Sequence, residues 1–569
     1  MDSKLVGHDP ISATVRLSRR RVLRLGAGLL GGAAVAPLLS ACSQPPAPAA
    51  KPAESKPGEA AKPVETKPAQ QAAPAAPKDG ASRMVIAYGS PAETMHPHRH
   101  YNTVTNSILQ NSLYDTLTVR SQDMQKLEPG LATEWKTLDE RTWQFKLRPG
   151  VKFHDGTEFD AEVVKWNVDS ILNPPQAAPG GAFTLKGTFN TIDSVDIVDK
   201  TTVNMKTKVP DGYLDAKFSA FGGMMQSPKW FQDAGEEKSN KQAVGTGPYK
   251  WVDWVRDQQL VLEPNEAHWS GGPTVKNVVV RVIPETATRV AALKAGEVDI
   301  IVNVPPEEFE PIERTGRATV KTVPSLRAMF AQLDTTRGPT AKKEVRQALN
   351  YAVDVDSIIK NVMSGYGVRI STLLPDFFFA HDKDLQPYTQ DLNKAKELLS
   401  AAGFPNGVDV TFDIDSGRYP FEKPVAEALA GQLEKAGVRA KIQTNEWAAY
   451  NTKSDNMELG AISLWGWGNY TLDPDNTFYP RLRTPTTGKV TSLTIYSNKA
   501  FDDLIDQGRS TADKEKRAAL YKQAQALLKD DSPYIFLYAL KDIYAVSNRV
   551  DWEPRSDEFI FPSYAKLKG

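Results

Sequence analysis

Across 569 residues, 69 basic side chains are matched by 69 acidic ones, 40% of positions are hydrophobic, and there is one cysteine. Balanced charge leaves no dominant basic field for nucleic acid, no run of eighteen apolar residues offers a membrane span, and a lone cysteine permits no internal disulfide. A chain of this length outgrows the roughly 250–300 residues that one core can serve, so at least two lobes are expected.

The chain opens with export signals. Ser18-Arg19-Arg20-Arg21-Val22-Leu23-Arg24 reads as a twin-arginine motif, and the Gly/Ala/Leu run from Leu25 to Leu39 is too short for a spanning helix. Leu39-Ser40-Ala41-Cys42 follows, placing the sole cysteine where a bacterial lipobox carries its lipidated residue. Residues 1–42 are therefore read as a signal peptide ending at lipidated Cys42. The body is expected outside the cytoplasm, anchored by lipid to the outer face of the cytoplasmic membrane. A buried cysteine in an ordinary N-terminal helix would leave the charge, the apolar run and the small residues unexplained. Gly26, Gly28 and Gly31 satisfy G-x-G-x-x-G, but no strand precedes them, so the dinucleotide reading is discarded. From 43 to 82, Pro, Ala, Lys and Glu dominate without one aromatic residue, as in a disordered, extended spacer.

Along the body from Arg83, strand and helix patterns alternate, which argues for an α/β class. Met84–Tyr88 is an opening strand, and Thr142–Leu147 alternates with period two, as a half-buried strand does. Arg289–Ala295 reads as a helix stopped by Gly296, followed by a strand at Val298–Val302. Asn393–Ala402 is a helix ending at Gly403. Val408–Ile414 is a strand, Pro424–Ala436 a helix and Val438–Thr444 a strand, a βαβ-like unit able to found a second lobe. No internal repeat of fixed period is present.

Several motifs then occur in a characteristic order. They are Leu127-Glu128-Pro129-Gly130-Leu131-Ala132, Trp135, and the stretch from Thr142 to Thr157 containing Arg148-Pro149-Gly150-Val151-Lys152-Phe153-His154-Asp155-Gly156. Gly245-Thr246-Gly247-Pro248-Tyr249, Val345–Asp354, Ala402-Gly403-Phe404, Glu446-Trp447 and Asp473-Pro474-Asp475 follow. This series resembles family 5 solute-binding proteins, receptors of ABC importers for peptides, nickel, opines and some glycans. The resemblance implies a two-lobed periplasmic-binding-protein-like fold with a hinge and an interlobe cleft. Lobe I would be 83–324 plus 534–569, and lobe II 325–533. It implies capture without catalysis, no cofactor, and delivery to a membrane permease. The chain lacks G-x-x-x-x-G-K-[ST], so the ATPase subunits must be separate.

By resemblance, the ligand contacts are Tyr101 and Thr103 on one lobe and Trp447, Trp467, Asn469 and Tyr470 on the other. Tyr470 stands where peptide-binding members carry an Asp that pairs with the ligand's ammonium, and Leu464 where oligopeptide-binding members carry an Arg. Peptide is the expected cargo, with an oligosaccharide or other neutral solute as the alternative, because aromatic faces with few charges suit sugar rings. Trp465 is divided between cleft and core. Replacing Trp467 with Ala is expected to abolish binding and leave the melting of the empty protein nearly unchanged. His96, His98 and His100 alternate and invite a nickel or zinc reading, but Pro97-His98 belongs to the family loop, so no metal site is assigned. His154-Asp155 reads as a turn, and Asp473/Asp475 as family motif rather than the paired carboxylates of a secreted glycosidase. A receptor that signals to a membrane kinase would share the same fold.

Overall fold

Two long antiparallel strands, Ala318–Leu333 and Tyr534–Ser547, run through the middle of an 11-stranded mixed sheet, with short Gly367–Arg369 beside the second. This computed structural model describes residues 82–174, 180–416, 418–485 and 491–568. The export signal, Cys42 and all of the expected spacer except Ser82 lie outside the described residues. On one side of the long pair stand Ile462–Gly468, Val408–Ile414 and Val438–Thr444. On the other stand Ile300–Val302, Arg83–Tyr88, Asn277–Val282, Gln259–Pro264 and Tyr249–Val255.

The register of the long pair slips twice, between Pro324 and Ala328 and again between Met329 and Phe330. Ala318–Pro324 pair with Lys541–Ser547, the register shifts between Pro324 and Ala328, and Ala328–Gln332 pair with Tyr534–Ala539. Pro324 has no N–H to give the ladder, so a break there costs one bond fewer. Within the bulge Leu326 N–H donates to the Ser556 carbonyl instead, at 2.9 Å.

Each half has its own core. In the second, Leu349, Phe412, Leu429, Leu433 and Ile462 are fully buried between the sheet and the helices Lys343–Ala352 and Glu422–Lys435. Arg346 donates to the carbonyls of Thr340, Ala341 and Asp531, and Asn350 brackets the long strand through Tyr534 O and Phe536 N–H. In the first half, Met84, Leu109, Tyr249 and Val278 are buried together. A separate four-stranded antiparallel sheet, Ala132–Asp139, Thr142–Leu147, Thr202–Thr207 and Ile192–Asp199, carries the helices Ala161–Leu172 and Gly180–Phe189.

The expected elements are present with shifted ends. Trp143, Phe145 and Leu147 are the buried positions of their strand. The helix expected from Arg289 starts at Thr286 and ends on Gly296 in the left-handed region. The following strand is only Ile300–Val302, and Asp299 before it ties its carboxylate to Val85 N–H and Arg549 while its backbone bonds Val85 O and Ser547 N–H. The helix expected from Pro424 begins at Glu422, since Pro is tolerated in a first turn.

The Gly245–Tyr249 turn lies against the backbone of Ser112 and Leu113. A Cβ on Gly245 would sit 2.1 Å from Leu113 O, and one on Gly247 2.4 Å from Ser112 O. His154 braces the turn by donating from Nε2 to Gly247 O at 2.9 Å while Nδ1 accepts from Gly245 N–H, and burial holds it neutral, lowering its pKa to about 4. Because the clash is with backbone, Gly245→Ala should lower stability by at least the about 1–3 kcal/mol of overpacking, measured as a fall in Tm or denaturation midpoint.

Candidate functional site

The strand Ile462–Gly468 delivers its C-terminal residues to the seam between the halves. Trp465 and Trp467 lie on one face of it, beside Phe330 and Ala328 of the long strand. Gly466 between them is forced by Met329 and Tyr419, which an added Cβ would meet at 2.7 and 2.8 Å. Trp465 is a core residue, 3% exposed, packed on Tyr450 and Trp447 with its Nε1 donating to Ser463.

Trp467 is half-buried, and the Arg481 guanidinium lies between its ring and that of Phe330, at 4.8 and 4.9 Å. Arg481 donates to Gln332 Oε1, and no carboxylate pairs with it among the described residues. Trp467 is thus part of a buried stack as well as a candidate contact. Trp447 opens the helix Trp447–Asp455, whose first N–H groups are capped by the Glu446 carboxylate. Its other face carries the exposed guanidinium of Arg418 at 4.0 Å.

Asn469, expected as a contact, is spent inside its own loop. It donates to Asp473 O and Thr477 Oγ1, accepts from Thr471, and is 1% exposed. It shapes the loop that presents Tyr470 and offers nothing to a ligand.

Tyr470, Thr103 and Tyr101 meet across the seam. Thr103, at the start of the helix Thr103–Leu109, hydrogen-bonds Tyr470 Oη at 2.6 Å. Tyr470 stacks on Phe559 at 5.3 Å and takes the edge of Phe221 at 4.6 Å, while Phe221 packs on Tyr101 at 4.7 Å. Burial pushes the Tyr101 hydroxyl up to about 12 and Tyr470 higher still, so both remain neutral donors. The space left between Tyr101, Phe221, Tyr470 and Asn476 is about 10 Å³, room for one water at most.

Charged contacts fasten the same loop. Arg120 donates to Thr471 O, Tyr213 to Asp475 at 2.5 Å, and Arg517 grips both Asp473 oxygens at 2.5 and 2.7 Å. The Asp473/Asp475 pair is therefore sealed in buried ion pairs. His96, His98 and His100 are buried, their protonation suppressed by desolvation first. His96 Nδ1 accepts from His98 N–H and His98 Nε2 donates to Met224 O. Among the described residues no three potential metal ligands gather at one point.

Sequence reasoning missed Arg418, Arg327 and Glu558. Arg327, in the bulge, donates from Nε and Nη2 to the Glu558 oxygens at 3.0 and 3.2 Å and from Nη2 to Tyr470 Oη at 3.2 Å. No motif marks them, since an Arg after a strand and a Glu near the C-terminus carry no spacing signal.

The family model for bacterial extracellular solute-binding proteins, family 5, matches residues 126–489, well over half the chain. The chain belongs to that family. This solute-binding protein is 28% identical over 487 residues to a dipeptide-binding protein of Escherichia coli K12, covering 81% of this chain and 90% of that one. It is 29% identical over 446 residues to heme-binding protein A of Haemophilus influenzae, covering 74% and 81%. An ABC transporter-associated periplasmic binding protein from Helicobacter pylori, solved with the peptide STSA, superposes with a TM-score of 0.74 at 26% identity, covering 86% and 98%. The two-lobed α/β fold follows. No helix among the described residues is long and apolar enough to cross a membrane.

Two outcomes follow from this packing. Because Trp467 covers Arg481, Trp467→Ala should destabilise the empty protein by about 2–3 kcal/mol, short of the cost for a fully buried aromatic and more than the nearly unchanged melting expected from sequence. Asp415 is fully buried, neither carboxylate oxygen receives a donor among the described residues, and burial followed by the neighbouring Glu422 raises its pKa to about 7. The unfolded chain loses this proton first, so stability falls as pH rises past about 4. Asp415→Asn should therefore stabilise the protein by at least about 1 kcal/mol near neutral pH, a gain that vanishes in acid denaturation series below about pH 4.

Proposed function

We propose that this protein captures a peptide between its lobes and hands it to the permease of an ABC importer, without catalysis, the ATPase being a separate chain. The observation that carries the reading is the seam itself. The loop Asn469–Asp475 of one half is held by Thr103, Arg120 and Tyr213 of the other, so a solute bridging these groups would bias an open–closed equilibrium. The peptide assignment draws on the relatives named for dipeptide and for STSA. It also draws on Arg418, exposed, stacked on Trp447, and without an acidic partner among the described residues, which suits a ligand carboxylate. The oligosaccharide or neutral-solute reading is favoured by Tyr470 and Leu464, neither of which offers a charge.

The lobes are proposed as 83–324 with 541–569, and 325–540. The return moves from the expected Tyr534 because Tyr534–Ala539 pair with Ala328–Gln332. Export through residues 1–42 and lipidation at Cys42 belong to the same reading. Cys42→Ala should release the protein from membranes into the soluble fraction and abolish labelling by a fatty-acid probe.

A thermal-shift panel of di- to tetrapeptides, oligosaccharides and Ni²⁺ tests the cargo. A peptide at a hundred times its Kd should stabilise by about 2.7 kcal/mol, and Arg418→Gln should weaken it at least tenfold while sparing its C-terminally amidated form. Stabilisation by sugars alone would replace the peptide reading with the neutral one.

A further inference from the structure

Arg481 is only 2% exposed, yet among the described residues no carboxylate pairs with it. Its hydrogen-bond partners are Gln332 Oε1, at 3.0 Å, and the Tyr534 hydroxyl, which burial keeps neutral. The carboxylates of the seam and of the adjoining helix Lys499–Arg509 are engaged elsewhere. Asp473 is held by Arg517, Asp475 by Tyr213, Tyr521 and Arg509, Asp506 by Arg483, and Glu558 by Arg327. A guanidinium stays charged even when buried, so this charge is not relieved by loss of a proton. Its field reaches whatever lies beside it.

What lies beside it is Trp467. The guanidinium sits over that ring at 4.8 Å and over Phe330 at 4.9 Å, while Trp467 itself is only half-buried. A cation on one face of a ring draws the π density toward itself and leaves the opposite face poorer. A second cation there loses the attraction that an aromatic face ordinarily gives. It also meets the repulsion of the first across a single ring, where the protein screens charge less than water does. For an anion, both effects change sign. In addition, Arg481 Nε and Trp467 Nε1 are shielded from solvent, and neither has an acceptor among the described residues. Unpaired buried donors cost free energy that an acceptor oxygen would recover.

We propose that Arg481 sets the charge preference of the cleft at Trp467, favouring a solute with an acidic group beside that ring and disfavouring one with an ammonium or guanidinium group there. Arg481 acts through the ring, as a specificity-determining residue, and does not have to touch the solute. The inference rests on the peptide reading. In that reading Arg418 takes the terminal carboxylate and Arg481 selects for a second one, so the substrate class is acidic peptides.

The test is isothermal titration of the purified full chain with three sets of tripeptides, X-Ala-Ala, Ala-X-Ala and Ala-Ala-X, with X as Glu, Gln or Lys. In at least one set the Glu peptide should bind at least tenfold more tightly than the Gln peptide, and the Lys peptide at least tenfold more weakly. Arg481→Met or Arg481→Gln, whichever melting curves show to be folded, should shrink the Glu-to-Lys ratio in that set at least tenfold. Arg481→Lys keeps the charge and should keep most of the ratio, whereas a purely structural role would weaken all three peptides alike in every variant. Equal binding of Glu and Lys peptides by the wild-type protein in every set would overturn the inference and leave the peptide reading intact. An unchanged ratio in a folded variant without the charge would do the same. If no peptide binds and sugars stabilise the protein, the peptide reading falls and the selection of acidic peptides falls with it.

Discussion

The long antiparallel pair is the constraint on which the rest depends. One ladder of backbone hydrogen bonds runs through both halves, and its register breaks at defined places. Pro324 withholds a donor, the register slips, and the three residues before Ala328 lose their partners on the other long strand, while Arg327 keeps Gly468. Ladders are stiff where every N–H is engaged and compliant where one is missing. Beside the same irregularity Arg327, still paired with Gly468 of the neighbouring strand, reaches Glu558 with its side chain, so the break in the long pair and the charged centre of the seam lie together.

The seam is built from charges as much as from apolar surface. Arg517 with Asp473, Lys217 with Asp211, and Arg509 near Asp475 are buried on or beside it. Buried pairs gain little net stability over apolar packing, yet losing one partner leaves an uncompensated charge. A seam of this kind is selective about geometry. It holds firmly in one alignment and poorly in any other, which suits a receptor whose partner must distinguish closed from open. The exceptions are informative for the same reason. Arg481 has ring faces and Gln332 in place of a carboxylate, and among the described residues Asp415 and Asp542 have no donor for at least one oxygen.

How much of this the sequence disclosed varies with the range of the interaction. The alternation of Trp143, Phe145 and Leu147, the Gly296 stop and the βαβ unit from Val408 to Thr444 were legible, because period and capping are local properties. Tyr101, Thr103, Trp447, Trp467 and Tyr470 were singled out by position in a motif series. Their surroundings were not. Asn469 has the chemistry of a ligand contact, and only the fold of residues 469–477 shows that every one of its groups is already engaged.

The sequence by itself determined the class of the chain, the alternation of its elements, its family and the ring-rich character of the cleft loop, since each rests on residues near one another in sequence. Tertiary structure alone decided the rest. Thr103 meets Tyr470 across 367 positions, and Arg327 meets Glu558 across 231. It also decided which charges are matched and which are left over. That balance is a property of burial and of separations between distant segments, and no local pattern encodes it.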